Sequence, residues 1–427
     1  MSKILPSFKI FPLIASVAFT FKVQAGGIFL YELGTDDVGL AAAGYSARAQ
    51  DPSTIYTNPA GMTRLKGRQL LLGAEVYYED IELTISNANE GTDNGGNPVD
   101  IFAGGSIFYS HSINDAFKSG LGIYGNFGSL LRYHGDWAGR YSAVKGTLIG
   151  TSIQPTLAYR FNNGLSIGGG PIFMYGILRS KTRVNNSPFQ IIDFADGEIS
   201  LSDKEWGYGA NLGVLFEFNE CTRIGLDYTS QIKLNFSPNA EFTNLNPILN
   251  ALLTNRGLVN AEVDIGIKVP QTWMGSIFHQ MTERWAILAS GGWQEWSKFG
   301  QVDVGIDSTN PVSITVDRHY KNTWHAAIGL QHQYTSNILL NAGVGYDSRL
   351  QDTTNIPVSL PVNSAWRFGV GTKFNAMKCL DLGAAFEYIY GGDLHTNSHG
   401  PVKGDLIGVY ESVAVYFLSF NAVFKYN

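Results

Sequence analysis

Eight histidines are the side chains of this 427-residue chain best suited to proton transfer: His111, His134, His279, His319, His325, His332, His395 and His399. A serine or cysteine nucleophile needs such a base, itself oriented by a third group, and none of the eight has that motif context. The two cysteines, Cys221 and Cys379, each lie beside a short turn, far apart in the chain, with no CxxC and no metal-ligand spacing. Both are expected to be free. An enzyme is therefore not expected, nor a metal or other cofactor. The chemistry that remains is apolar binding. Ser187-Pro188 precedes Phe189, Ile191, Ile192 and Phe194, with Gly197 following; Asn246-Pro247 precedes Ile248, Leu249, Leu252 and Leu253, with Gly257 following. An N-cap residue, Pro at the first helical position and Gly past the end predict a short helix in each stretch. Ile248, Leu249, Leu252 and Leu253 share one helical face. Two readings are open: a surface that collects lipophiles, or two helices that only pack on each other.

These stretches interrupt a chain that otherwise alternates. Near the C-terminus Tyr416, Leu418, Phe420, Ala422, Phe424 and Tyr426 share one face, opposed by Ser419, Asn421 and Lys425. Leu380, Leu382, Ala384, Phe386, Tyr388 and Tyr390 oppose Asp381, Gly383 and Glu387, and Trp366, Phe368, Val370 and Phe374 oppose Arg367, Gly369, Gly371 and Lys373. Period-two patterning gives each strand one apolar and one polar face. The apolar faces end in aromatics, and short turns (Asn114-Asp115, Asn162-Asn163, Asn219-Glu220) alternate with long polar loops near 86–99, 129–140, 182–204, 237–259, 307–317, 350–364 and 391–409. This asymmetry is that of an outer-membrane barrel rather than a soluble sandwich. Strand cores starting near Gln69, Ile101, Gly120, Tyr141, Leu165, Trp206, Arg223, Ala261, Trp285, Tyr320, Ile338, Trp366, Leu380 and Val413 predict an all-β fold: a 14-stranded antiparallel transmembrane β-barrel with short helices in its extracellular loops. About eight strands already make a packed interior, so this lumen needs water or a plug.

Composition agrees. Charged residues are only 15% of the chain against 13% aromatics, where a soluble protein carries about 25% charged. Lys3 and Lys9 precede an apolar run from Ile10 to Phe21, and Val23-Gln24-Ala25 offers a small-residue cleavage site, so residues 1–25 read as a secretion signal. The run is too short for the roughly 20 residues of a membrane-spanning helix. Loss of Lys3, Lys9 and Lys22 moves the formal net charge from −6 to −9, which makes nucleic acid a poor partner.

Residues 26–66 do not alternate. They are rich in Gly and Ala, with too little apolar bulk for a core of their own, and are expected inside the barrel formed by 67–427. Within them Asn58-Pro59-Ala60 has a local logic: Pro59 lacks an N–H and pushes Asn58 out of helical geometry, leaving the Asn58 side chain to bond neighbouring backbone.

Gly44, Asp51 and Asn58-Pro59-Ala60, then Asn126-Phe127-Gly128, Trp137-Ala138-Gly139-Arg140-Tyr141, Ala158-Tyr159-Arg160, Leu165-Ser166-Ile167-Gly168, Trp206-Gly207-Tyr208-Gly209, Val269-Pro270 and Trp296-Ser297-Lys298-Phe299 follow one another in a specific order and spacing. In this the chain resembles the FadL/TodX family of outer-membrane transporters for long-chain fatty acids and other hydrophobic compounds. The resemblance implies that 26–66 is a luminal hatch, with Asn58-Pro59-Ala60 facing a gap in the wall. It implies an external groove between the two helical loops and a luminal ligand site bordered by Gly26, Gly27, Ile28 and Phe29. It also implies a kink in the third strand, at the position of Gly128 in Asn126-Phe127-Gly128, that opens the wall sideways. Read without the resemblance, Gly128 is one of 49 glycines.

An acid headgroup in the lumen calls for a basic partner, because an unpaired buried carboxylate is costly. Arg183, Arg318 and Lys321 are the candidates; Lys321 matches a basic family position, and each also reads as a solvated strand end. The expected function is passive uptake of a hydrophobic ligand (fatty acid, detergent or lipid-like molecule), fatty acids first. The barrel is expected as a monomer among the lipid and lipopolysaccharide of a Gram-negative outer membrane. The alternatives are an aromatic hydrocarbon channel of the same family, or a porin or surface adhesin. The chain ends Lys425-Tyr426-Asn427, with the aromatic penultimate where barrels of this type commonly end in one; assembly is expected to tolerate it.

Overall fold

The computed structural model describes residues 31–99, 101–187, 194–352, 356–399 and 404–426. The leader and the expected site residues Gly26, Gly27, Ile28 and Phe29 lie outside the described residues. So do Phe189, Ile191 and Ile192, and with them the first of the two loop helices.

Outward-facing positions of the strands are apolar and inward-facing ones polar, the inverse of a soluble core. On the last strand Leu418 and Phe420 are 44% and 53% exposed while Ser419 between them is 0% exposed. Only a surrounding lipid phase makes that arrangement favourable. Fourteen antiparallel strands form the closed barrel: β1 (Arg68–Asp80), β2 (Ile101–Ser112), β3 (Phe117–Arg132), β4 (Lys145–Arg160), β5 (Leu165–Val184), β6 (Gly197–Glu217), β7 (Thr222–Thr229), β8 (Thr272–Gln280), β9 (Trp285–Gln294), β10 (Thr323–Thr335), β11 (Ile338–Asp347), β12 (Ala365–Met377), β13 (Leu380–Ser398) and β14 (Leu406–Tyr426). Each pairs with its chain neighbour, and β1 closes on β14 from Arg68↔Tyr426 to Asp80↔Ala414. No helix among the described residues is long and apolar enough to cross a membrane. Cys221 and Cys379 are free and exposed.

Several strands reach further than their apolar patterning. β6 starts at Gly197 rather than near Trp206 because its loop-side end carries polar residues that resemble loop sequence, and β14 starts at Leu406 rather than near Val413 because Glu411 and Ser412 (φ +51°) interrupt its alternation. The eighth strand is a correction. The alternation beginning at Ala261 belongs to Val263–Val269, which joins Ile232–Phe236, Gln301–Ile306 and Val312–Asp317 in a separate four-stranded sheet. Pro270 follows that segment, and the barrel strand begins only at Thr272.

Nearly every residue from Tyr31 to Thr63 is buried, and the segment is bonded to the wall around the barrel. Ser106 Oγ of β2 donates to Leu33 O (3.0 Å), Arg223 Nε of β7 to Ala47 O (2.6 Å), Ser290 Oγ of β9 to Ala42 O (2.9 Å) and Asn341 Nδ2 of β11 to Asp36 Oδ1 (2.7 Å). Lys373 of β12 lies 3.5 Å from Asp51 and 3.8 Å from Asp36, and Arg48 bonds Asp37 at 2.8 Å. The small residues of the wall's polar face have a packing reason: a side chain at Gly225, Gly343 or Gly369 would collide with the backbone oxygen of Ser46, Leu40 or Val38. Wall glycines are the sockets into which the segment's backbone fits.

Candidate functional site

The hydrogen-bonded ladder between β2 and β3 stops partway. Pairing runs from Ser112↔Lys118 to Ser106↔Tyr124, although β3 continues to Arg132 and β2 reaches back to Ile101. Over the remaining length β2 keeps its partners on β1, from Gly105↔Ala74 to Ile101↔Tyr78. β3 keeps its own on β4, as at Gly128↔Ile149. Each strand is thus held from its far side while the seam between them is unpaired. The cause lies in β3. The register to β4 shifts between Gly125 and Phe127, leaving Asn126 as an extra residue, a bulge that bends its strand. Gly128, two residues on, has φ +156°, a region essentially reserved for glycine. A side-chain carbon there would stand 2.8 Å from Leu148 O. Asn126 is buried and accepts from Ser152 Oγ at 3.4 Å; Phe127 packs edge-on against Phe299, 6.1 Å away.

The luminal segment meets the end of this seam with Ile55 and Tyr56. The Tyr56 ring lies 4.8 Å from that of Tyr124, the last residue of β3 paired with β2, and Gln154 Nε2 of β4 donates to Ile55 O at 2.9 Å. Asn58, Pro59 and Ala60 sit elsewhere, over Gly168 of β5 and Gly213 of β6. Asn58 is extended at φ −173°, and its Oδ1 accepts from Ala60 N (3.0 Å) at the start of the 3₁₀ turn Pro59–Arg64. Its Nδ2 donates to Ser46 O (2.7 Å) and Val214 O (2.9 Å). The motif folds the segment and ties it to β6.

A cavity of about 70 Å³ lies in the loop-side half of the lumen. Trp296, Leu350, Val362, Ile389, Val413 and Val415 give it apolar walls; Tyr31, Glu79, Gln294, Thr323, Asp347 and Arg367 give it polar ones. Arg367 Nε bonds Asp347 Oδ2 at 2.5 Å, Arg367 Nη1 bonds Glu32 Oε1, and Glu387 Oε1 is 3.6 Å away. His325 Nδ1 is 2.7 Å from Asp347 Oδ1. Tyr31, which borders the cavity, follows the expected Gly26–Phe29 by two residues.

None of the three predicted cations lines this cavity. Arg183 is half-buried, 3.2 Å from Glu198 Oε2 on the neighbouring strand. Arg318 lies in the connection to β10, its N–H bonded to Gly300 O at 3.0 Å. Lys321 is exposed. The cation that does line this cavity, Arg367, read in the sequence only as part of a polar strand face. A signal for it existed: Asp347, Arg367 and Glu387 stand on the inward faces of three consecutive strands.

Outside the wall, helix Pro247–Asn255 forms as its punctuation predicts, with Asn246 Oδ1 accepting from Leu249 N at 2.7 Å and Gly257 at φ +66°. Its apolar face, however, is turned inward. Leu249 and Leu253 are buried in a cluster with Val263, Ile265 and Phe236 of the four-stranded sheet, and Leu252 is half-buried. This corrects the lipophile-collecting reading for Leu249 and Leu253: the sheet, absent from the expectation, already covers them. Ile248 (76% exposed) and Phe194 (39%) are left to solvent. The Trp137–Tyr141 stretch is a loop clasp. Trp137 stacks 3.9 Å from Tyr133, and Arg140 bonds Asp196 Oδ2 (2.7 Å) and Glu90 O (2.6 Å), joining three loops. Partial burial disfavours the Arg140 charge, but the Asp196 bond and the neighbouring Tyr141 outweigh it and raise its pKa.

Residues 16–425 match the family model described as outer membrane protein transport protein (OMPP1/FadL/TodX). The long-chain fatty acid transport protein of Escherichia coli O6:H1 is 25% identical over 401 residues, covering 87% of this chain and 89% of that protein. Outer membrane protein P1 of Haemophilus influenzae is 26% identical over 419 residues, 87% of each chain. Among solved structures, a Pseudomonas aeruginosa FadL homologue superposes with a TM-score of 0.83 at 20% identity, covering 94% of this chain and all of that one. The P. putida toluene transporter TodX gives 0.69 at 16% identity, covering 92% and 98%.

Proposed function

The chain belongs to the outer membrane protein transport protein family (OMPP1/FadL/TodX), and from that premise we propose that it takes up long-chain fatty acids passively and releases them sideways through its wall. At the coarser level it is an outer-membrane transporter of hydrophobic compounds and not an enzyme. In the finer reading a lipophile is first held at the exposed apolar positions of the loops, passes to the luminal cavity beside Tyr31, and leaves through the β2–β3 seam. The barrel acts as a monomer, its aromatic belt in outer-membrane lipid and lipopolysaccharide, and the segment 26–66 is the hatch that denies water a direct path.

Energetics favour that route over a water-filled pore. Each methylene kept out of water is worth about 0.8 kcal/mol, so a long acyl chain gains at each apolar station and loses heavily in an aqueous channel. The cavity of about 70 Å³ is well below the roughly 300 Å³ of small-molecule pockets, so an acyl chain enters only as surrounding side chains move aside. The observation that carries the lateral exit is the unpaired seam beyond Ser106↔Tyr124, next to the Asn126 bulge.

Gly125 supplies the test. A first side-chain carbon there meets nothing within 4 Å, so a side chain can start at Gly125 without the clash that one at Gly128 would cause. Gly125→Trp is expected to cut fatty acid uptake several-fold while the barrel keeps its heat-modifiable gel mobility. Wild-type uptake by a folded Gly125→Trp barrel would remove the lateral exit.

A further inference from the structure

The luminal cavity identifies the charge of what it takes. Arg367 is its only lining cation among the described residues, and that charge is already matched by ion pairs with Asp347 and Glu32, with Glu387 close behind at 3.6 Å. Glu79 adds a further carboxyl to the lining. An entering carboxylate would therefore meet an excess of acids around one committed guanidinium, and a buried anion without its own partner is strongly disfavoured.

What the cavity does leave over is neutral hydrogen-bonding capacity. Gln294 is 6% exposed, and its Oε1 accepts from Trp296 Nε1 at 2.7 Å. An indole N–H only donates, which fixes the oxygen of the amide on that side. The Nε2 donor is then left without a partner among the described residues, and so is Asn363 Oδ1 on the same cavity. One spare donor and one spare acceptor beside apolar walls match a hydroxyl or a protonated carboxyl.

Resting on the transport reading above, we propose that the luminal site binds lipophiles with an uncharged, hydrogen-bonding head group: long-chain alcohols, and fatty acids as the neutral acid. Gln294 Nε2 is the group that recognises the head. The site thus discriminates against anions that share the same tail, and a fatty acid leaves its proton behind only after it has passed the cavity.

The test uses the full barrel in nanodiscs, with 11-bromoundecan-1-ol as a quencher of tryptophan fluorescence and Trp296→Phe to identify the share of quenching that arises at the cavity. Decan-1-ol should compete for that share, and decane-1-sulfonate, charged at every working pH, should compete at least about 30-fold more weakly. Gln294→Met should weaken the alcohol about tenfold without improving the sulfonate; Gln294→Leu serves if that variant does not fold, with folding judged by gel mobility. A sulfonate that competes as well as the alcohol overturns the charge discrimination and leaves lateral uptake standing. Unchanged alcohol binding in folded Gln294 variants overturns the assignment of the head-group contact. No Trp296-dependent quenching at all overturns the luminal site itself, and this inference with it.

Discussion

Two sectors of the same wall are built to opposite rules. Between β13 and β14 the ladder runs from Leu380↔Phe424 to Ser398↔Leu406, carried past two register shifts near Gly392. Between β2 and β3 it ends at Ser106↔Tyr124 with half of β3 still to come. Both sectors carry backbone irregularity, yet only one loses its pairing. The bulge at Gly392 is absorbed because the strands realign on the same partner. At Asn126 the strand realigns on β4 alone, and Gly128 then bends it away from β2. An irregularity opens a barrel only where it is one-sided.

The largest test of this contrast removes what the sectors share. Deleting residues 31–66 should raise single-channel conductance at least about tenfold, since fourteen strands enclose far more than side chains fill; unchanged conductance would make the luminal segment irrelevant to the pore. A smaller effect is expected from Gly225→Val with Gly343→Val, which strike the backbone oxygens of Ser46 and Leu40. These should loosen the segment, seen as new protease cleavage between 31 and 66 in a folded barrel; full protection would mean the sockets yield. Gly128→Ala should destabilise the barrel by about 1–3 kcal/mol, measured by urea unfolding in lipid, whereas Gly391→Ala, whose added carbon meets nothing closer than 3.5 Å, should fall within about 0.5 kcal/mol of wild type. Equal effects would erase the distinction between the sectors. The smallest change is outside the wall: Ile248→Asp should raise the half-saturating ligand concentration by less than about threefold, and no rise would remove Ile248 from capture.

Strand number and facing were legible in the sequence because lipid on one side and water or hatch on the other force a period of two. The eighth strand was not: Val263–Val269 alternates as cleanly as a barrel strand, and only its pairing with Ile232–Phe236 and Gln301–Ile306 places it outside. The same hidden sheet turned Leu249 and Leu253 from an exposed stripe into a core. At the seam, Asn126-Phe127-Gly128 was legible through its likeness to relatives, while the neighbours that meet it, Ile55 and Tyr56, were not, because hatch contacts are long-range and leave no local pattern. Luminal charge failed for a related reason. A loop-proximal lysine or arginine is conspicuous in sequence, but whether it points into the lumen depends on pairing that Arg183 makes with Glu198 and Arg367 makes with Asp347.

The sockets in the wall also set an order of events. Asp36 is bonded to Asn341 across 305 positions of chain, and Glu32 to Arg367 across 335. The luminal segment precedes every barrel strand in the chain, yet two of the strands it docks on, β11 and β12, lie near the other end of the chain. Closure of so long a loop is slow and entropically uphill until the contacts at its end are made. The segment is thus fixed only once early and late strands are both in place, and the barrel must shut around a guest whose seats are cut from strands along the whole chain.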